Sequence, residues 1–245
     1  MPVQQHEPAT KTLGIIGGMS WESTQSYYRL INQGIKEALG GLHSADILLH
    51  SVDLAPIALL QAQGAWDKLG TIMVSSGKRL QAGGVDGILI ATNTMHKVAD
   101  QVQAATNLPL IHIADATADA IKQQGLTKIA LLGTNFTMTE EFYTQRLKSA
   151  GLQVVIPDEV ARTEVHRIIY DELCQGQLLD SSRQYYRQVI NELAAQGVEG
   201  VILGCTEIGL LINQADSPIP VFDTTAIHAA AAVEFLLGNA EFNPR

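Results

Sequence analysis

Short runs of β-branched and aliphatic residues alternate with longer amphipathic stretches along the whole chain. The apolar runs are Leu13 to Ile16, Ile47 to Val52, Gly87 to Ala91, Leu110 to Ile113, Ile129 to Leu132, Val154 to Ile156, Val201 to Leu203, and Val221 with Phe222. Helical spacing of apolar positions falls between them, as in Ser23 to Leu39, Thr71 to Ala82, Glu140 to Ala150, Ser181 to Gln196 and Thr225 to Leu237. Strands that are apolar throughout, separated by helix-length segments, predict an α/β fold with mainly parallel sheets joined by right-handed crossovers.

The pattern is also written twice. Ala82-Gly-Gly-Val-Asp-Gly-Ile-Leu-Ile-Ala-Thr92-Asn-Thr94 lies over Ala195-Gln-Gly-Val-Glu-Gly-Val-Ile-Leu-Gly-Cys205-Thr-Glu207, position for position, 113 residues later. Leu13 to Gly18 resembles Ile129 to Thr134, and Leu108-Pro109 resembles Ile219-Pro220, in the same order. A repeat of this length predicts two pseudo-symmetric α/β lobes facing each other across a cleft. The expected division is residues 11–106 plus 217–240 for the first lobe and 107–216 for the second. Ligands of open α/β sheets sit beyond the C-terminal strand ends, and both Thr92 and Cys205 fall there.

Composition narrows the partners. A net charge of −9, with no run of Lys or Arg longer than the pair Lys78-Arg79, disfavours nucleic acid and membrane surfaces. With 46% hydrophobic residues the chain can bury its core without disulfides or metals. Its two cysteines, and a polar lead-in from Met1 to Thr12 that reads as frayed rather than as a signal segment, point to the cytoplasm. Neither the histidines nor the cysteines have metal-binding spacing, and no metal is expected. The first loop lacks the dinucleotide pattern, which disfavours a nicotinamide cofactor.

Cys205 is the leading candidate for chemistry. It ends a strand and precedes a polar pair, where a following helix N-terminus would lower its pKa below the reference of about 8.5. Cys174, on a helical run, reads as structural. Asn93, Thr94 and Thr206 are short polar residues past strand ends, suited either to helix capping or to donating to a carboxylate. Met19 and Ser20, after Gly17-Gly18, and Thr137, in the corresponding loop of the repeat, occupy strand-to-helix junctions; Thr137 with Glu140 equally fits a capping box. Glu207 either holds an ammonium or tunes Cys205, unless it is only a solvated helix-start carboxylate. His50 and His166 are pocket-lining candidates, and His96 reads as a structural histidine.

Thr92-Asn-Thr-Met-His96, Gly204-Cys-Thr-Glu207 and Gly17-Gly-Met-Ser20 together resemble the aspartate/glutamate racemase family. The likeness runs from Leu13 to Leu237. It includes Gly133-Thr134, Ile169-Tyr-Asp-Glu-Leu173 and Pro220-Val-Phe-Asp223, and is closest to the enterobacterial broad-spectrum amino-acid racemase branch. The resemblance implies a homodimeric enzyme that needs neither pyridoxal phosphate nor metal and acts on a small-molecule amino acid. In that family two cysteines flank the substrate Cα, one abstracting a proton and the other returning one. Cys205 matches the second cysteine, and Thr92 stands at the first. A hydroxyl is a poor proton abstractor beside a thiol, so the expectation is slow or enantiomer-biased racemization. A one-thiol decarboxylase of the same superfamily, or an amino-acid-binding protein, are the alternative readings.

Overall fold

A computed structural model describes residues 10–240. In chain order the elements are β1 (Leu13–Gly17), α1 (Trp21–Leu39), β2 (Ile47–Ser51), α2 (Leu54–Ala62), α3 (Trp66–Ala82), β3 (Gly87–Ile90), α4 (Ala99–Thr106), β4 (Leu110–Ile111), α5 (Ile113–Gln123) and β5 (Lys128–Gly133). There follow α6 (Asn135–Thr139), α7 (Glu141–Ser149), β6 (Gln153–Val155), α8 (Glu159–Asp171), α9 (Asp180–Ala195), β7 (Gly200–Gly204), α10 (Ile208–Leu211), β8 (Val221–Asp223) and α11 (Thr224–Leu236).

The strands form two parallel four-stranded sheets, ordered β2-β1-β3-β4 and β6-β5-β7-β8. The second order is the first shifted by four strands, and the register repeats too: Leu13 pairs Gly87 as Ile129 pairs Gly200. This is the expected α/β architecture of two like halves. The inner strands β1, β3, β5 and β7 are buried almost throughout, as strands covered on both faces must be, while the edge strand β2 is largely exposed.

The repeated Gly-Val-Asp/Glu-Gly motif has a packing reason in each half. Side chains added at Gly87 and Gly200 would lie 2.5 Å from the Phe235 ring and 2.9 Å from the Phe222 ring, so only glycine lets those aromatics cover the strand starts. Asp86 accepts from the Thr12 backbone N–H at 2.7 Å, and Glu199 accepts from that of Thr127 at 2.7 Å, each tying the edge of one strand to the next. Thr12 and Lys11, whose N–H donates to Leu236 O, are thereby anchored rather than frayed; the rest of the expected frayed lead-in, residues 1–9, lies outside the described residues.

The halves exchange helices. α5 follows β4 of the first sheet yet buries Ile113, Ala118 and Ile121 in the core of the second. α11 follows β8 of the second sheet yet buries Ala232, Phe235 and Leu236 in the core of the first, against Tyr27, Ile31 and Ile35 of α1. The expected divisions at 107 and 217 precede β4 and β8, which stay with the sheets before them; the chain crosses over at His112 and at Asp223. His112 also explains why the strand expected to reach Ile113 stops at Ile111: its Nδ1 accepts from Ala114 N–H at 3.2 Å and caps α5. Among the described residues no helix is long and apolar enough to cross a membrane.

Candidate active site between the two sheets

Thr92 follows β3 and Cys205 follows β7, so the C-terminal ends of the corresponding strands bring both into one cavity of about 30 Å³. The wall also contains Met19, Leu54, Gln61, Thr94, Thr134, Ile169, and the trio Tyr170, Cys174 and Glu207. Contributions come from both halves.

Glu207 is the hub of the second half of the site. It is 3% exposed, and its Oε2 accepts from the Cys205 thiol and from Thr206 Oγ1, both at 2.9 Å. Its Oε1 accepts from Ser20 Oγ at 2.7 Å and lies 2.8 Å from Ser23 Oγ. Ser23 Oγ is also 2.7 Å from Thr206 Oγ1, and its single proton serves one acceptor at a time. Since Ser20 caps α1, this one carboxylate lashes the start of α1 in the first half to the end of β7 in the second.

The Cys205 thiol is pushed well up from its ordinary value, first by burial and then by the adjacent Glu207 carboxylate. The expectation that a helix start would lower it is therefore corrected. α10 is a single turn of four residues, too short to supply much dipole, and desolvation beside an anion disfavours the thiolate. Cys205 rests as a thiol whose proton already points at a base.

Thr92 is held by its backbone: its N–H donates to Ile90 O at 2.9 Å, and its carbonyl accepts from His96 Nδ1 at 2.7 Å. His96 is the structural histidine anticipated, with Ile113 N–H donating to its Nε2 at 3.3 Å. Burial lowers its pKa to about 3, so it stays neutral.

Thr94 Oγ1 lies 3.2 Å from Thr134 Oγ1, which is 3.1 Å from Thr137 Oγ1. Thr94 and Thr134 face the cavity, and Thr137 is fully buried behind them. Thr134, not Thr137, caps α6; the expected pairing of Thr137 with Glu140 does not form, because Thr137 sits inside α6 and Glu140 binds Lys97. Asn93 does not face the cavity: its Nδ2 donates to Thr224 Oγ1 at 3.0 Å, and Thr224 donates to Leu203 O at 2.7 Å, bracing the two loops. Ser20 and Thr206 touch Glu207 rather than the cavity itself.

The two histidine candidates lie outside the wall. His50 is on the edge strand β2, and burial followed by the Arg79 charge lowers its pKa. His166 accepts from Asn135 N–H at 3.1 Å and stacks beside Tyr170, with ring centroids 4.8 Å apart. Sequence reasoning did not anticipate Gln61, Tyr170 or Cys174. Tyr170 was within reach, since Ile169 to Leu173 is one of the family-like segments; Cys174, read as structural, packs against the second core and also borders the cavity, its thiol raised by burial and by Glu207.

Residues 16–232 match the profile of the Asp/Glu/hydantoin racemase family. The chain belongs to that family. As a member of the Asp/Glu/hydantoin racemases it falls among the isomerases, in accord with the sequence resemblance. It is 56% identical to a Yersinia pestis protein whose crystal structure is assigned to the Asp/Glu racemases, with a TM-score of 0.87 over 93% of this chain and 99% of that one. An aspartate racemase homologue from Pyrococcus horikoshii OT3 is 36% identical, with a TM-score of 0.80 over 92% and 99% of the two chains. The broad specificity amino-acid racemase RacX of Bacillus subtilis is 23% identical over 92% of this chain and 98% of its own.

Proposed function

We propose that this member of the family is a cofactor-independent amino-acid racemase in which Cys205 serves one face of the substrate Cα and Thr92 stands at the other. The carrying observation is the Cys205 Sγ–H to Glu207 Oε2 hydrogen bond at 2.9 Å, on the wall of a cavity that Thr92 shares. As an acid, Cys205 delivers its proton to a Cα carbanion. As a base, it first passes that proton to Glu207, and the thiolate then removes the Cα proton, the activation of a thiol by an adjacent base. The hydroxyls of Thr94 and Thr134 are placed to hold the α-carboxylate and favour the negative charge that develops there. Met19 shapes the cavity, while Ser20, Thr206 and Asn93 fix its frame.

Thr92 has no side-chain base beside it among the hydrogen bonds of the described residues, so abstraction on its face runs through water or is slow. That observation favours, as a second reading, one-sided protonation in a decarboxylase that uses Cys205 alone. Both cysteines are free thiols in or beside the site, which suits a reducing cytoplasm. The exposed apolar side chains Trp21, Tyr28, Leu48 and Leu49 on α1 and β2 suit a homodimer, which light scattering would report as about twice 26.4 kDa.

Proton NMR in deuterated water tests the reading. Substrate Cα–H is expected to exchange with wild type and to fall by at least about a thousandfold with Cys205→Ala, while chiral chromatography shows the opposite enantiomer accumulating. Exchange that survives Cys205→Ala sinks the mechanism; Cys205-dependent loss of CO2 from a substituted malonate, with protonation of the product on one face and silent amino acids, favours the second reading.

A further inference from the structure

The two halves are built on one pattern, so a place where they differ is informative. In the first half the Ile90 carbonyl, two residues before Thr92, accepts from the N–H of Thr92 itself at 2.9 Å. Leu203 is its counterpart in the repeat, two residues before Cys205, yet its carbonyl accepts from Thr224 Oγ1 at 2.7 Å. Thr224 is the first residue of α11, the helix that crosses back to the first half; α5, which crosses the other way, begins with Ile113 and has no hydroxyl there. A threonine side chain has thus taken over a bond that the first half makes within its own loop.

That hydroxyl reaches both loops. Because a carbonyl only accepts, the Thr224 proton is committed to Leu203 O, and its oxygen is left to accept from Asn93 Nδ2 at 3.0 Å. The direction of the chain is fixed, from Asn93 to Thr224 to Leu203. Asn93 directly follows Thr92, so two hydrogen bonds join the residue beside one strand-end group to the strand that carries the other. Thr224 is fully buried and Asn93 is 2% exposed. Turning its amide toward Thr224 leaves Asn93 Oδ1 buried with no partner, and an empty buried acceptor opposes folding. The fold bears that cost where the link between the loops is made. The Thr92 backbone is itself pinned by Ile90 and His96, so the link refers Cys205 to a fixed point.

Resting on the racemase reading, we infer that Thr224 is a positioning residue for the reaction: its hydroxyl sets the separation of Thr92 and Cys205, and hence whether a proton removed on one face of Cα is replaced on the other. A carbanion formed at Cys205 returns to the starting enantiomer when the opposite face finds no donor in place. Such transfers fall steeply with displacement, by about a hundredfold for 1 Å.

The test uses the purified full chain with L-homoserine, L-methionine, L-aspartate and L-glutamate in deuterated water. The deciding readout is deuterium entering the recovered L-enantiomer divided by D-enantiomer formed, a ratio that loss of folded protein does not move. Thr224→Val keeps the shape and removes both bonds: the ratio should rise at least about threefold, and kcat fall at least about tenfold with KM within about threefold of wild type. Thr224→Ser keeps the hydroxyl and should hold all three within about twofold. Thr117→Val removes an equally buried threonine hydroxyl, bonded to Ile113 O within α5, and should leave the ratio unchanged. Alkylation of Cys205 by iodoacetamide, read by mass spectrometry of its peptide, needs no turnover; among these variants it should speed up, at least about threefold, in Thr224→Val alone as the loop loosens.

A folded Thr224→Val with the wild-type ratio overturns the inference, as does a Thr224→Ser no better than Thr224→Val or a Thr117→Val that shifts the ratio equally. If Thr224→Val does not fold, Asn93→Ala, which cuts the same chain at its other bond, is judged by the same ratio. Should the wild type turn over none of the four amino acids, the racemase reading falls and the alkylation rate alone decides. An increase in Thr224→Val that is absent from Thr224→Ser then supports the positioning role, and an unchanged rate removes it.

Discussion

Lowering pH from 7 to 5 should destabilise this protein through three histidines that the fold keeps neutral. His96, His112 and His228 come from the loop after β3, from the end of β4 and from α11, and they pack together, with ring centroids 4.5 Å apart for His96 and His112 and 5.6 Å for His96 and His228. Each has a ring nitrogen that accepts a hydrogen bond: His96 Nε2 from Ile113 N–H, His112 Nδ1 from Ala114 N–H, and His228 Nδ1 from Tyr27 Oη at 2.9 Å while its Nε2 donates to Ile111 O. Protonation would break those bonds and place like charges side by side without water. Burial accordingly lowers His96 to about 3 and His228 to about 4, and lowers His112 as well.

A histidine in the unfolded chain titrates near 6.5. Between there and the folded values the unfolded state binds more protons, so stability falls as pH falls and is fully present only above about 6.5. At 1.36 kcal/mol per unit of pKa difference, the drop from pH 7 to pH 5 costs about 2 kcal/mol for His96 and about 2 kcal/mol for His228. Against a typical total of about 5–15 kcal/mol this is a large fraction. Urea unfolding followed by fluorescence of the two tryptophans at a series of pH values would measure it. The variant His96→Asn should flatten the slope by about one proton, or about 1.4 kcal/mol per pH unit. A midpoint that is level or rising from pH 7 to pH 5, or a slope unchanged in His96→Asn, refutes the argument.

Three further outcomes follow from the site. Glu207→Gln keeps the volume but removes the base beside Cys205, so kcat for exchange should fall by roughly 10² to 10⁴ with KM little changed; a loss confined to KM would make Glu207 a binding group. Thr92→Cys should speed abstraction on the Thr92 face by about tenfold or more and bring the rates from the two enantiomers together on chiral chromatography; rates left as lopsided as before would mean that Thr92 does not face Cα. Trp66→Ala removes the edge contact with Phe136 across the cleft, ring centroids 5.7 Å apart, and the ring under Lys97, so stability should fall by roughly 1–3 kcal/mol, less than for a fully buried Trp, while KM rises as the two halves are held less firmly; an unaltered KM would dissociate that contact from substrate capture.

Much of this could be read from the chain because it was encoded locally. Short continuous apolar runs and period-3.6 apolar spacing mark strands and helices whatever they later pack against, and the duplicated Gly-Val-Asp/Glu-Gly segment carries its own strand-start geometry. The repeat therefore located Thr92 and Cys205 at equivalent strand ends, facing one cavity. Cys174 keeps its structural reading, packed against the second core with its thiol raised by burial, and only the fold brings it to the edge of the cavity. Gln61 and Tyr170 are separated by 109 residues and acquire meaning only where α2 and α8 meet.

What the sequence determined by itself was the set of elements, their duplication and the residue types at the strand ends, all consequences of short-range backbone preference and apolar periodicity. Tertiary structure decided which sheet each helix covers, since the apolar stripes of α5 and α11 would suit either core and the crossover assigns them to opposite halves. It also decided the protonation of Cys205, because burial and a carboxylate joined to Ser20, 187 residues away, set a thiol's pKa more strongly than the one-turn helix that follows it in the chain.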